Sequence, residues 1–228
     1  GKSREDVVRE AATAMLERNI VPFDLYHVAD TYPLAYGESM NTVLMQECQR
    51  YNNLIHIFNR SLNDVLKALK GLVVMSSDLE SMAESLYTNQ VPAMWVKQAY
   101  PSLKPLSSWI KDLLARVTFM RSWLTSGQPA CFNLPAFFFP QGFMTGVLQM
   151  HARTYAIPID TLAYCYTVRA EETAADITAP PVDGVYIDGF FLDGDLSILF
   201  GIGVQLLLRQ LLERMRLLQE CHADEAEI

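Results

Sequence analysis

The sequence predicts an α+β chain: a mostly helical bundle with one long helix, followed by a small antiparallel β unit and a C-terminal helix. Apolar residues recur at spacings of four and three across about 39–70, which is the period of an amphipathic helix. From Leu162 to Val168, apolar and smaller residues alternate, as in a half-buried strand. A leucine-rich stretch over about 196–220 then returns to helical spacing.

The long apolar stripe is the strongest periodic signal in the sequence. It consists of Leu44, Cys48, Tyr51, Ile55, Phe58, Leu62, Val65 and Leu69. A helix over 39–70 would be about 45 Å long at 1.5 Å per residue. The opposite face lacks the regular charge pattern of a coiled coil, so we expect packing against the protein's other helices.

Shorter helices are expected on both sides of this stripe. Their approximate ranges are 3–18, 24–30, 76–87, 107–124 and 142–155. Ser3, Ser76 or Ser77, and Ser107 or Ser108 are suitable N-caps for three of them. Residues that precede prolines are disfavoured in helices, so 91–92 and 100–105 are predicted to be extended.

Turn residues organise the β part. Asp188-Gly189 lies between two apolar triplets, 185–187 and 190–192, and this pattern is typical of a two-residue hairpin. Residues 170–183 are polar and acidic, so we expect an exposed loop there. Gly201 and Gly203 weaken the start of the predicted C-terminal helix.

A phenylalanine-rich segment, residues 129–146, separates the helical part from the β part. Five phenylalanines fall between positions 132 and 143, and Pro135, Pro140 and Gly142 prevent a single helix. Burial of so much aromatic surface is more frequent than its use as an exposed docking patch. We therefore predict a structural joint. Its members are Phe137, Phe138, Phe139, Phe143, Trp109 and Trp123.

Composition bounds the class of protein. Half of the 228 residues are apolar, which excludes global disorder, and the net charge of −8 argues against a nucleic-acid or anionic-membrane partner. The longest apolar run, 196–208, is shorter than the roughly 20 residues of a membrane span. Four widely separated cysteines fit reduced core residues in a cytoplasmic setting.

The residues predict no catalytic, cofactor-binding or metal site. Gly1-Lys2-Ser3 copies the end of a P-loop without the glycine-rich loop or strand that the motif needs. The four histidines lack metal-ligand spacing, and Gly-x-Ser-x-Gly is absent. Asp188, Asp193 and Asp195 form a carboxylate group that turn chemistry explains, with a small hydrolase as the alternative.

Several motifs occur in an order that resembles one known family. They are Glu38–Leu44, Arg50–Asn52, Leu69–Ser76, Tyr100–Leu106 with Trp109, Phe137–Phe143 through Gln149, Pro158–Asp160, and Gly184–Tyr186 with Phe191–Gly194. Together they resemble the C-terminal region of dynein heavy chains over about residues 22–194, and the axonemal branch more than the cytoplasmic one.

The resemblance implies a domain organisation. Residues 1–37 would be the end of the helical lid of the sixth AAA+ module. Residues 38–194 would be the C-terminal domain, helical over 38–156 and β over 160–194. Residues 195–228 would be a divergent amphipathic helical tail, because the family usually continues with more β structure at this point.

The resemblance also implies a function. The protein would be a non-catalytic segment that packs on and regulates the AAA+ ring of a minus-end-directed microtubule motor. ATP would bind to other modules of the heavy chain. No cofactor would bind to this segment. The partners would be the AAA+ modules of the same heavy chain and, through the complex, dynein intermediate and light chains and microtubules. The location would be the cytoskeleton of the cytoplasm and the axoneme of a cilium or flagellum.

One alternative needs no motor. The protein could be a stand-alone helical adaptor that inserts its leucine-rich C-terminal helix into a partner's groove.

Overall fold

The computed structural model describes residues 1–165 and 173–189 and the backbone of 166–169 and 203–210. The helices of this described part are α1 (Arg4–Leu16), α2 (Leu25–Thr31), α3 (Ser39–Leu69), α4 (Ser77–Tyr87), α5 (Ala93–Val96), α6 (Leu106–Ser126) and α7 (Pro140–Tyr155). Its strands are β1 (Cys131–Asn133), β2 (Leu162–Arg169), β3 (Val185–Asp188) and β4 (Gly203–Gln210). The prediction of a mostly helical α+β protein with one long helix is confirmed.

Helix α3 buries the predicted stripe. The first seven residues of the stripe, from Leu44 to Val65, are all buried. The eighth, Leu69, is half-buried at the end of the helix. The helix ends where Gly71 adopts a φ of 69° and the Leu72 amide donates to the Lys67 carbonyl at 3.0 Å. Glycine reaches this left-handed conformation without strain, so a local sequence signal determines the helix end.

Side-chain caps fix three of the other helix starts. Ser3 Oγ accepts a hydrogen bond from the Asp6 amide at 3.1 Å, and Ser76 Oγ accepts one from the Leu79 amide at 3.3 Å. For α6, Asn89 Oδ1 accepts a hydrogen bond from the Ser107 amide at 3.0 Å. Ser107 therefore lies inside the first turn, and the cap comes from a residue distant in sequence.

The protein divides into two compact units. The first unit comprises Gly1–Thr31 and Met45–Arg121. Its core includes Val8, Tyr51, Phe58, Leu62 and Trp95, all of which are at most 1 % exposed. The segment between α1 and α2 is held to α3 by Asn52, whose side chain donates to the Phe23 carbonyl and accepts from the Phe23 amide at 2.8 and 2.7 Å.

The second unit comprises Tyr32–Leu44 and the described residues from Ser122 onward. It contains the first turns of α3, the end of α6, helix α7 and a sheet with the strand order β1-β3-β4-β2. Strand β4 pairs antiparallel with β3 and with β2, and Leu162 lies opposite Gln210. Strand β1 pairs parallel with β3, and Cys131 lies opposite Tyr186.

The sheet corrects two sequence predictions. The β unit is not purely antiparallel, because β1 joins β3 in parallel after the long connection through α7 and β2. The predicted C-terminal helix is wrong over Gly203–Gln210, which form a strand. Short apolar runs such as this one suit either structure, and cross-strand pairing with β2 decides the outcome here.

Other predictions lie outside the described residues. They are the second hairpin arm at 190–192 and the remainder of the C-terminal helix, 196–202 and 211–220. The predicted domain boundaries at 37–38 and 194–195 stay predictions. None of the helices in the described part has the length and hydropathy needed to cross a bilayer.

Candidate functional site

Four aromatic rings form the centre of the second unit. Trp123 comes from the end of α6, Phe132 from β1, Phe137 from the segment after β1, and Phe143 from α7. All four are at most 2 % exposed. Phe143 lies 4.8 Å from Phe132 and 4.6 Å from Phe137 between ring centroids, and Trp123 contacts Phe132 at 5.3 Å. We call these four residues the phenylalanine cluster.

The prolines and a glycine shape the segment that carries the cluster. A short 3₁₀ turn, Leu134–Ala136, follows β1, and Pro140 then occupies the first turn of α7, where its missing amide costs nothing. Gly189 has a φ of 75°, and a Cβ there would meet the ring of Pro135. The segment therefore changes from strand to 3₁₀ turn to helix within ten residues, and Phe132, Phe137 and Phe143 come from these successive parts.

Helix α7 also packs closely on the start of α3. A Cβ on Gly146 would lie 2.6 Å from Met40 Cε and 3.0 Å from Val43 Cγ2. Beside this contact, the hydroxyl of buried Ser39 accepts a hydrogen bond from Arg153 at 2.6 Å and donates one to Gln149 Oε1 at 3.1 Å. The packing of α7 is thus specified by volume and by polar geometry.

The six residues of the predicted joint have different positions. Phe137, Phe143 and Trp123 belong to the phenylalanine cluster, whereas Phe138 is half-buried and Phe139 is 47 % exposed. Trp109 belongs to the first unit. Sequence reasoning missed Phe132, a central member of the cluster, although its alternation with Leu134 across the start of the segment was a usable signal.

The first unit has an aromatic cluster of its own, which we call the tryptophan cluster: Phe58, Trp95, Tyr100 and Trp109. Trp109 stacks on Trp95 and Tyr100 at 5.8 and 6.0 Å, and Phe58 lies 4.7 Å from Trp95. The Trp95 indole donates to Ser61 Oγ at 2.8 Å, so the polar atom of this buried ring is satisfied.

Charged side chains pack against Tyr100 of the tryptophan cluster. The Arg116 guanidinium lies 3.7 Å from the centre of the Tyr100 ring and bonds to Asp112 at 2.7 Å. Lys104 bonds to the same carboxylate at 2.6 Å. Burial tends to raise the pKa of Asp112, but the hydrogen bonds and charges of Lys104 and Arg116 outweigh it and lower that pKa.

A cavity of about 270 Å³ lies in the second unit between α7 and the 180–185 segment. His151 lines it beside Tyr155, and both approach the Asp183 carboxylate: the Tyr155 hydroxyl donates to Oδ1, and His151 Nδ1 lies 3.8 Å from it. Burial lowers the pKa of His151, and the Asp183 charge opposes this shift only in part. The imidazole is therefore neutral near pH 7. The sequence shows no metal-ligand spacing among the four histidines, and it gives no signal that connects His151 to Asp183.

The thiols and carboxylates do not assemble reactive chemistry in the described part. Burial raises the pKa of Cys48 to about 12 and that of Cys131 to about 11, so both thiols are protonated and poor nucleophiles. Among the residues that the structure describes, no three His, Cys, Asp or Glu side chains converge as metal ligands. Asp188 lies in β3 opposite Asn133, and Asp193 and Asp195 fall outside the described residues.

Comparison with known proteins identifies the family. Residues 1–195 match the family model described as the C-terminal domain of the dynein heavy chain. The protein belongs to this family.

The curated relatives agree. The protein is 50 % identical over 186 residues to dynein axonemal heavy chain 1 of Rattus norvegicus, in a match that spans 82 % of this chain and 4 % of the relative. It is 47 % identical over 184 residues to dynein axonemal heavy chain 12 of Mus musculus (81 % and 6 %) and 46 % identical over 186 residues to dynein axonemal heavy chain 3 of Homo sapiens (82 % and 4 %). The matched region thus spans about one twentieth of each relative. The predicted membership of the dynein family and the predicted axonemal, cytoskeletal setting are confirmed.

Proposed function

We propose that this protein is the non-catalytic C-terminal segment of an axonemal dynein heavy chain, where it packs on the AAA+ ring and regulates a minus-end-directed microtubule motor. The match of residues 1–195 to the C-terminal domain family carries the proposal. The small share of each relative that this region covers supports a role as one module of a much longer polypeptide.

The proposed mechanism is mechanical. Helix α3 has 31 residues and is therefore about 46 Å long at 1.5 Å per residue. Its buried stripe resists bending, because any curvature would open contacts along the core. Packed elements with fixed geometry transmit small displacements between distant sites better than loops do. We propose that α3 acts as a brace, with the phenylalanine cluster as the rigid joint at the second unit.

The division of labour within the motor follows from this role. ATP binds to the AAA+ modules of the same heavy chain, and this segment contributes no cofactor site. Its direct partners are those modules, and it meets intermediate chains, light chains and microtubules only through the whole complex. The buried, protonated thiols of Cys48 and Cys131 fit a segment built for packing.

A substitution in α3 that spares the core tests the mechanism. His56 lies on the exposed face of the helix, so His56→Pro removes a backbone hydrogen bond and interrupts the brace without deleting a core side chain. His56→Ala at the same position is the matched control. Both are introduced into the complete heavy chain, and basal and microtubule-stimulated ATPase rates are measured.

We expect His56→Ala to behave as the wild type and His56→Pro to lose most of the microtubule stimulation while the heavy chain still binds ATP. Equal stimulation in the two variants would refute the brace. For the adaptor alternative, residues 203–210 of the leucine-rich tail form β4, and the rest of the predicted docking helix lies outside the described residues.

A further inference from the structure

The loop between α3 and α4 presents aliphatic side chains to solvent. Leu72 is 71 % exposed, Val73 43 % and Val74 89 %. Burial of a large aliphatic side chain is favourable, but single exposed residues of this kind are common on protein surfaces. Three in succession on one short loop form a compact apolar ridge.

The structure fixes both ends of this ridge. Gly71 ends α3 in a left-handed conformation, and the Leu72 amide bonds to the Lys67 carbonyl at 3.0 Å. Ser76 then caps α4 through the Leu79 amide. The loop is therefore preorganised, so docking would require little further ordering.

Grooves flank the ridge within the first unit. Met75, the next residue, lines a groove of about 790 Å³ together with Val8, Leu69 and the first turn of α1. Val73 and Val74 line another groove of about 600 Å³ with Ile57, Leu79 and Met94. An apolar ridge with adjoining grooves is a shape that a partner surface can cover.

The first turn of α1 is itself held in place beside the first groove. Arg4 forms an ion pair with Glu84 of α4, and its guanidinium lies over the Tyr87 ring at 5.8 Å. Ser3, Arg4 and Glu5 contribute to the groove wall. Any polypeptide that precedes Gly1 would therefore emerge next to the groove and the ridge.

We propose that the ridge, Leu72–Val74, and the groove at the first turn of α1 form the docking surface for the part of the heavy chain that precedes Gly1. This inference rests on the proposed function, in which the protein is one segment of a longer heavy chain. Two observations select this occupant. The relatives carry well over nine tenths of their length outside the matched region, and the upstream connection lies at the edge of the groove.

The groove indicates the chemistry of the docking segment. Val8, Ala68, Leu69, Met75 and Ala83 supply aliphatic contacts, and Arg4, Glu5 and Glu80 supply charges of both signs. An amphipathic helix or strand from the preceding module, with aliphatic residues on one face and mixed charges at its edge, would satisfy both.

Hydrogen exchange on the intact heavy chain provides the test. Within the described part, the Val73 and Val74 amides donate no backbone hydrogen bond, so this segment alone gives them little protection. We expect them to exchange at least about 10-fold more slowly than unstructured amides in the intact heavy chain, because the docked segment excludes solvent. Exchange at the unstructured rate would overturn the inference.

A paired variant tests the apolar contact directly. Leu72→Ser with Val74→Ser should return the Val73 and Val74 amides to near-unprotected exchange, whereas Leu103→Ser should not, because Leu103 is a fully exposed leucine elsewhere in the first unit. Unchanged protection in the double variant would refute an apolar dock. If these amides are unprotected while other exposed segments of the protein are protected, the protein packs on the ring through a different surface. If no exposed segment is protected, the proposed function fails as well.

Discussion

The two units solve the same problem, the burial of aromatic residues, in different ways. In the tryptophan cluster, Trp109 stacks nearly parallel to Trp95 and Tyr100. Trp95 donates a hydrogen bond to Ser61, and the Arg116 guanidinium lies over the Tyr100 ring, so polar contacts fix both rings. In the phenylalanine cluster, three carbon-only rings and Trp123 meet at steep or tilted angles. The first cluster is specified by polar geometry and the second by shape.

This difference predicts different sensitivities. Polar specification is lost when one partner is removed and a buried polar atom is left unsatisfied. Specification by shape is lost when volume is removed or added, because a close-packed core relaxes only in part. The first unit should therefore respond most to polar substitutions and the second to changes of size.

The largest expected effect is the removal of a ring from the phenylalanine cluster. Phe143→Ala should lower the free energy of unfolding by about 3–5 kcal/mol, because the Phe143 ring contacts both Phe132 and Phe137 and is fully buried. Urea denaturation of the protein measures this loss. The matched control is Phe139→Ala in the same segment, which should cost less than about 1 kcal/mol because Phe139 is half exposed. Similar losses in both variants would contradict the assignment of Phe143 to the core.

A smaller effect is expected for the buried hydrogen bond of the first unit. Ser61→Ala should cost about 1–3 kcal/mol, because it leaves the Trp95 indole N–H without its acceptor. Combining it with Trp95→Phe removes donor and acceptor together. A double-mutant cycle by urea denaturation should give a coupling energy of about 1 kcal/mol. Strict additivity of the two substitutions would show that the hydrogen bond contributes nothing.

Gly146 tests the close approach of α7 to the start of α3. Gly146→Ala adds a Cβ against Met40 and Val43, and overpacking typically costs about 1–3 kcal/mol. The gain of about 1 kcal/mol in helix propensity offsets part of this, so the expected net loss is about 1 kcal/mol. Gly37→Ala, where nothing lies within 4 Å of the added Cβ, should change stability by no more than about 0.5 kcal/mol. Stabilisation by Gly146→Ala in thermal unfolding would contradict the contact.

The smallest expected effects are on the pH dependence of stability. They should differ between the two units. The lowered pKa of His151 means that the fold favours its neutral form, so this contribution is complete above about pH 6.5 and is lost as the pH falls through the folded-state pKa. The lowered pKa of Asp112 means that its contribution is present above about pH 3.9 and is lost only at lower pH.

On acidification the second unit should therefore weaken first. Residue-resolved hydrogen exchange between pH 7.5 and 4.5 should show increased opening around α7 that His151→Gln abolishes. Asp112→Asn should leave this step unchanged and instead lower stability at neutral pH. A first step that persists in His151→Gln would assign the acid response to another group.

The sequence predicted the helices well because their signals are local. Each of these signals depends on residues within a few positions of one another. They are the stripe of α3, the serine caps of α1 and α4, and the glycine that ends α3. The core of the first unit follows directly from the stripe, since a helix with one apolar face must bury it.

The errors concern contacts that are distant in sequence. Val204 to Leu208 is apolar enough for helix or strand, and only its partners in β2 and β3 decide between them. Phe139 is exposed although its neighbours are not, because the 3₁₀ turn and Pro140 set the direction of each side chain. His151 and Asp183 are 32 positions apart in sequence but close in space, and no local sequence pattern predicts such a contact.

The proposed packing of this protein on the AAA+ ring of its own heavy chain can be tested by cross-linking mass spectrometry of the intact motor. Lys2 and Lys70 are exposed and lie near the proposed docking surface. We expect cross-links from both lysines to AAA+ modules of the same heavy chain. Cross-links from them only to residues within this segment, or only to other subunits of the complex, would contradict it.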